Sequence, residues 1–224
     1  MRNRLLTIAV LLTASIFVAP CLNAQNGAEV DKYTLNFRKT MLNLDSSWAN
    51  MVKMRETANQ FERLANFKKD DWLPRYYHAL CLVQQSWTAS SQDRQALLKA
   101  AETSIKAADA LSPNNSEIVT LEGYLYQAMV LIDPMSTGPV YVPKSMATMQ
   151  KAMQLDPANP RPAYLLGQNT YFTPDQWGGG VEKAKPNLLK AKALFDTFVP
   201  ASEFHPNWGK VVCEMILDGK LPRE

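Results

Sequence analysis

Chemically reactive side chains are scarce in this chain of 224 residues. It has only two histidines, His78 and His205, and three cysteines. The spacings H-E-x-x-H, C-x-x-C, G-x-S-x-G and G-x-x-x-x-G-K-[ST] do not occur. Metal sites need several convergent ligands, and active sites gather groups whose pKa values can be shifted. The sequence therefore predicts a non-enzymatic protein with no metal site and no cofactor.

An excess of charge of one sign is also lacking. Lysine and arginine together number 24 and aspartate and glutamate 21, and two of the basic residues, Arg2 and Arg4, lie at the extreme N-terminus. Nucleic acids and anionic membranes attract proteins through clustered positive charge. This balance argues against both as the main partner. Beyond residue 24, no apolar run approaches the ~20 residues of a membrane-spanning helix.

The N-terminus has the pattern of a secretory signal peptide. Arg2 and Arg4 precede the apolar stretch Leu5–Ala19, and Leu22-Asn23-Ala24 provides a cleavage site. We predict a signal peptide over residues 1–24, a mature chain beginning at Gln25 and an exported, periplasmic protein. Residues 25–224 are predicted to form a single helical-repeat domain.

The cysteines leave two alternatives open. Cys21 could carry a lipid anchor, but Pro20 stands where lipoprotein processing expects a small residue, so lipidation is the less favoured alternative. Cys81 and Cys213 lie in distant parts of the predicted repeat array, which argues against a disulfide between them. We predict that both are small buried side chains.

A repeat spacing of 44 residues is the most informative positive feature. A fixed period in this range is typical of repeat proteins, in which each unit buries its apolar face against its neighbours. In each copy, the repeated phrase reads as the end of one helix, a turn with proline and asparagine, and the start of the next helix. The recurring pairs are Ala108/Ala152, Leu111/Leu155, Pro113/Pro157, Asn115/Asn159, Leu121/Leu165 and Gly123/Gly167.

Glycine and proline divide the rest of the chain into helical stretches, and no alternating strand pattern stands out. Residues 133–143 contain three prolines and a glycine, which predicts an irregular insertion there. The better-defined predicted helices cover about residues 29–44, 74–88, 117–132, 144–155, 161–172, 181–198 and 207–218, with one more after Ser46 or Ser47 and another ending at Leu111.

These residues resemble the tetratricopeptide repeat (TPR) family. Glu122-Gly123 with Tyr126, and Leu166-Gly167, match the centre of the family's first helix, and Pro113 and Pro157 match the end of its second. The resemblance implies an all-α fold, a right-handed TPR-like α-solenoid of about nine antiparallel helices. In such a fold, glycine and alanine let paired helices approach closely.

Four longer phrases are similar to exported TPR proteins of Bacteroidetes-type bacteria, a likeness that implies no particular activity. They are Ala58-Asn-Gln-Phe-Glu-Arg63, Trp72-Leu-Pro-Arg-Tyr-Tyr77, Gly178-Gly-Gly-Val-Glu-Lys-Ala-Lys-Pro186 and His205-Pro-Asn-Trp-Gly209.

The family resemblance also implies a binding groove on the concave face, lined by the first helix of each repeat. The side chains at these positions are polar and aromatic, which suits a protein or peptide partner. The predicted partner-binding residues are His78, Gln85, Trp87, Tyr124, Gln127, Arg161, Tyr164, Gln168 and Tyr171.

The leading hypothesis is an exported, monomeric scaffold that binds an envelope protein or peptide in this groove. The alternative is a small-ligand-binding protein whose pocket is closed by residues 133–143, where Met135, Val140, Tyr141 and Val142 offer apolar contacts. Catalysis is left open as a third function class.

Overall fold

The computed structural model describes the backbone of residues 21–223 and the side chains of residues 32–223. The predicted signal peptide lies outside these described residues, apart from the backbone of residues 21–24. The chain divides into two compact units, Met1–Leu35 and Asn36–Glu224. The described part of the first unit forms the start of the first helix, and the second unit holds all the later helices. A single domain over residues 25–224 stays a prediction.

Nine α-helices form the described part of the chain, and a short 3₁₀ turn at Asp175–Trp177 precedes the eighth. The first helix begins eight residues before its predicted start at residue 29, whereas the predicted bounds of the seventh are confirmed. The helices are α1 Cys21–Asp45, α2 Met51–Phe67, α3 Leu73–Ser86, α4 Ser91–Leu111, α5 Ser116–Val130, α6 Pro134–Leu155, α7 Arg161–Phe172, α8 Val181–Thr197 and α9 Lys210–Leu217.

In the second unit, consecutive helices from α2 to α9 pack against each other in antiparallel pairs. In addition, α3 contacts α5, α5 contacts α7, and α7 contacts α9, so these four form one layer, the inner helices. The outer helices α4, α6 and α8 each pack between two inner ones. The predicted all-α, sequentially antiparallel architecture is confirmed. No helix in the described range combines the length and the apolar character needed to cross a membrane.

The repeated glycines mark places where an inner and an outer helix nearly touch. A β-carbon at Gly123 would lie 2.8 Å from the Met149 side chain of α6, and one at Gly167 would lie 2.7 Å from the Leu188 side chain of α8. Both distances are too short for a normal contact. The recurrence of glycine at a spacing of 44 residues therefore reflects close helix packing, as predicted.

The repeated asparagines hold the starts of two inner helices. The Asn115 side chain accepts a hydrogen bond from the backbone N–H of Glu117 at 2.9 Å, and Asn159 accepts one from Arg161 at 3.0 Å. Such bonds satisfy donors that a helix N-terminus leaves without an intrahelical partner. The same local geometry thus places Glu117 and Arg161 at equivalent positions in adjacent repeats.

The prediction of an irregular insertion at residues 133–143 is wrong, because residues 134–143 form the first half of α6. Pro134 lies at the helix start, where no N–H donor is needed. Pro139 and Pro143 are four residues apart and both exposed. The carbonyl oxygens that lose a helical partner to these prolines are therefore on the solvent side, where water can satisfy them. Two prolines on one exposed face do not end the helix.

Alanine substitutions of two glycines test this description of the helices. Gly138→Ala, in the first half of α6, has no atom within 4 Å of the new β-carbon and should stabilise the protein by up to ~1 kcal/mol through helix propensity. Gly167→Ala should destabilise it by about 1–3 kcal/mol, because Leu188 and its backbone must move. Urea unfolding followed by circular dichroism measures both. A loss of stability in Gly138→Ala would contradict the helical assignment of this segment.

Candidate functional site

The segment between α8 and α9, residues 198–209, has no helical structure and lies against the inner helices. We call it the strap. It contributes hydrogen bonds and ring contacts to α1, α3, α5 and α7, although it lies more than 100 residues beyond α3 and α1 in sequence. The face that the sequence predicts as an open groove is therefore covered by the chain's own C-terminal part.

Aromatic contacts attach the strap to α1 and α3. The Phe204 ring stacks on Phe37 with 4.3 Å between ring centroids, and the Tyr77 hydroxyl donates a hydrogen bond to the Phe204 carbonyl oxygen at 2.9 Å. The Trp208 indole N–H donates to the Tyr76 hydroxyl oxygen at 2.9 Å. Because Phe37, Tyr76 and Tyr77 are buried, this part of the strap is integrated into the core.

Trp208 also contacts the next two inner helices. Its ring centroid lies 6.4 Å from that of Tyr124 on α5 and 6.3 Å from that of Tyr164 on α7. The chain then turns at Gly209, whose φ of 105° favours glycine. A β-carbon there would lie 3.0 Å from the Tyr164 ring and 3.1 Å from that of Phe195. Trp208 thus contacts three consecutive inner helices, α3, α5 and α7.

A buried ion pair lies beneath the strap. Arg161 Nε donates to Glu117 Oε2 at 2.6 Å, and Arg161 Nη2 donates to Glu117 Oε1. The Phe198 ring covers the guanidinium at 4.4 Å, and His205 Nε2 lies 3.7 Å from Glu117 Oε1. Burial acts to raise the pKa of Glu117, but Arg161 and His205 outweigh it, so this pKa lies below its ordinary value. The carboxylate is therefore charged inside the protein.

Three of the predicted groove residues, Tyr124, Arg161 and Tyr164, are brought together under the strap. All three are buried, and their contacts with Trp208 or Phe198 are made within the chain. A protein or peptide partner could reach them only by displacing the strap. Their role in binding a partner stays a prediction.

The other predicted groove residues are spread along the inner helices. Gln85 donates within α3 to the Cys81 carbonyl, and Gln127 donates to the Leu165 carbonyl on α7. Tyr171 donates to the Leu221 carbonyl at 2.6 Å. These three side chains are buried and their polar groups are used internally.

The remaining three predicted groove residues, His78, Trp87 and Gln168, are half-buried. His78 faces α4, with its Nδ1 2.8 Å from Ser104 Oγ, and burial lowers its pKa. The Trp87 ring lies 5.5 Å from Tyr124, and Gln168 is half-buried on α7. Neither these side chains nor the buried ones above form an open, continuous surface.

The cysteine prediction is confirmed as far as burial is concerned. Cys81 and Cys213 are both buried and neither is in a disulfide. Burial raises the pKa of the Cys213 thiol to about 11 and raises that of Cys81 as well. Both therefore remain neutral thiols, which are weak nucleophiles and weak metal ligands.

A cavity of about 300 Å³ lies between α1 and the strap. Its walls combine aromatic rings, aliphatic side chains and a few charges, as in small-molecule sites. Leu42 is 65% exposed at its edge, so the cavity is accessible from solvent. The lining residues are Arg38, Met41, Leu42, Leu44, Asp45, Trp48, Tyr77, Glu203, Phe204, His205, Asn207 and Trp208.

The cavity shares no residue with the predicted groove set and none with residues 133–143. Residues 133–143, predicted to close a ligand pocket, lead into and begin α6 and do not line this cavity. Their closing of another pocket stays a prediction. In the described part of the chain, no three or more His, Cys, Asp or Glu side chains lie close enough to hold a metal ion.

Sequence reasoning missed the cavity because its two walls are far apart in sequence. A signal was present in His205-Pro-Asn-Trp-Gly209, which places an imidazole and an indole in a segment that cannot be a regular helix.

The fold and cavity together define an all-helical protein with a ligand-sized pocket between its first helix and the strap. Among solved structures, it is similar to the HusA haemophore from Porphyromonas gingivalis. The two are 28% identical with a TM-score of 0.71, and the match covers 82% of this chain and 90% of that chain. The helical fold is thus HusA-like. No family model and no curated protein sequence matches this chain, and membership of the tetratricopeptide repeat family stays a prediction.

Replacing one partner of the buried ion pair tests whether Glu117 is charged as described. Arg161→Met should destabilise the protein by about 3–5 kcal/mol, because it leaves a carboxylate buried without its cation. Combining it with Glu117→Leu should recover most of that loss, because no unpaired charge remains. Urea unfolding of both variants at pH 7 measures this. A single variant within about 1 kcal/mol of wild type would contradict the description.

Proposed function

We propose that this protein binds haem, or a closely related tetrapyrrole, as cargo in the cavity between α1 and the strap. The observation that carries the proposal is the aromatic cavity in a fold similar to that of the HusA haemophore. Haem here is a carried ligand and not the cofactor of a reaction. The protein is proposed to be an exported, non-enzymatic carrier, which places it in the small-ligand-binding class.

The shape and chemistry of the lining support this proposal. Haem is a flat aromatic macrocycle, and Trp48, Phe204 and Trp208 offer flat aromatic surfaces, with Met41, Leu42 and Leu44 as apolar contacts. A volume of about 300 Å³ is at the small end of ligand sites, so we expect one edge of the macrocycle to extend past Leu42 into solvent.

The lining also contains side chains of the kinds that ligate haem iron. Methionine, histidine and tyrosine all ligate haem iron in other proteins, and Met41, His205 and Tyr77 line the cavity. Burial raises the pKa of Tyr77 far above its ordinary value, and its hydroxyl donates to Phe204. Tyr77 therefore stays a neutral phenol. His205 Nε2 already lies 3.7 Å from Glu117 Oε1, which leaves Met41 as the lining donor better suited to the iron. Apolar contact between the cavity and the haem macrocycle does not depend on a protein ligand to the iron.

The strap also explains why a small ligand is favoured over a peptide. Tyr124 and Tyr164, two of the aromatic residues predicted to bind a peptide partner, are in contact with Trp208 instead. Binding a peptide there would break contacts to three inner helices. A ligand in the cavity needs no such rearrangement, because the strap is one of its walls.

The direct test is a titration of the chain from residue 25 with haem, following the haem absorption band and tryptophan fluorescence. We expect saturable binding with quenching of Trp48 and Trp208, which line the cavity. Haem that gives neither a saturable absorption change nor quenching would overturn the proposal.

A charge at the cavity edge should weaken binding. Leu42 lines the cavity and is 65% exposed, so Leu42→Glu should leave the fold intact and lower haem affinity on the order of tenfold, by losing about 1.5 kcal/mol of apolar contact. Leu189→Glu is the matched control, because Leu189 is 50% exposed on α8 and does not line the cavity. Equal effects of the two substitutions would argue against this binding site.

A further inference from the structure

An exposed ion pair joins the two walls of the cavity. Arg38 projects from α1 and Glu203 from the strap, and both line the cavity. Arg38 Nη2 donates to Glu203 Oε2 at 2.8 Å and Nε donates to Oε1, so the carboxylate is held by two parallel bonds. The side chains are 50% and 53% exposed. The hydrogen bonds from Arg38 hold the pKa of Glu203 below its ordinary value.

The fold does not depend on this pair. Exposed ion pairs contribute little to stability, whereas the neighbouring strap residue Phe204 is attached by stacking on Phe37 and by the Tyr77 hydrogen bond. Arg38 and Glu203 can therefore separate while the strap stays in place. The contact is reversible and lies at a position that solvent, and hence a ligand, can reach.

Arg38 is also the only lysine or arginine among the described residues that line the cavity. A guanidinium recognises a carboxylate through the same two parallel bonds, whichever molecule carries it. Glu203 thus shows the geometry in which Arg38 binds such a group. The remaining acidic lining residue, Asp45, forms no ion pair with Arg38.

We propose that Arg38 recognises a carboxylate of the cargo and that Glu203 competes with the cargo for this guanidinium. This inference rests on the proposed function and narrows it to tetrapyrroles with free acid side chains. On binding, a carboxylate of the ligand takes the two hydrogen bonds from Arg38, and Glu203 turns to water. One anion replaces another, so no charge is left unpaired in the cavity.

Removing the charge of Arg38 and removing the charge of Glu203 should then change haem affinity in opposite directions. Haem and haem dimethyl ester are the probes, since the ester keeps the ring and iron but lacks both carboxylates. Arg38→Gln should lower haem affinity about threefold, and Glu203→Gln should raise it by a similar factor, as expected for a half-exposed charge pair. Neither substitution should change affinity for the ester. Lys39→Gln removes a neighbouring charge that does not line the cavity and is the matched control.

A purely structural role for the pair predicts a different result, in which both variants weaken binding of both ligands. That result, or an unchanged haem affinity in Arg38→Gln, would overturn the inference while the proposed function stands. A wild-type protein that binds neither probe would overturn the proposed function itself. Thermal melts of both variants, which we expect to match wild type, exclude unfolding as the cause of any change.

Discussion

The contact of Trp208 with the inner helices is the interaction on which the site depends. Its indole N–H donates to Tyr76 on α3, and its ring lies beside Tyr124 on α5 and Tyr164 on α7. Buried aromatic side chains contribute large contact areas, and each favourable ring pair adds about 0.5–1.5 kcal/mol. One residue of the strap is thereby in contact with three repeats. This attachment holds the nearby residues Glu203 and Phe204 against α1 and so forms the second wall of the cavity.

The same attachment explains how a charged pair is tolerated in the interior. Glu117 and Arg161 occupy equivalent positions in two repeats, 44 residues apart, and the stacking of α5 on α7 brings them into contact. Phe198 and His205, both from the strap, cover the pair. Burying two charges costs several kcal/mol, which only good geometry and further hydrogen bonds offset. The inner helices and the strap therefore depend on each other. The strap covers the charged pair on the inner helices, and His205 of the strap lies beside the charged Glu117 carboxylate.

The features that follow from local rules could be predicted from the sequence. The 44-residue spacing marks the ends of α4 and α6, and it correctly predicts close helix packing at Gly123 and Gly167. Local rules also misled at α6, because proline lowers helix stability in isolation and the exposure of Pro139 and Pro143 depends on tertiary packing.

The cavity could not be predicted in the same way. Trp208 and Tyr76 are 132 residues apart, and no periodicity relates the strap to α1 or α3. The family resemblance correctly points to the inner helices as a common layer, yet it implies an open face where this chain places its own residues 198–209. Only the three-dimensional structure distinguishes an open binding groove from one that is covered by the strap of the same chain.

The indole N–H signals of the tryptophans report directly on the proposed binding of cargo between α1 and the strap. Trp48 and Trp208 line the cavity, whereas Trp177 is 68% exposed in the turn before α8 and does not. In ¹⁵N-labelled protein titrated with diamagnetic gallium protoporphyrin, the signals of Trp48 and Trp208 should shift and that of Trp177 should not. A shift of Trp177 with Trp48 and Trp208 unchanged at saturation would contradict binding in this cavity.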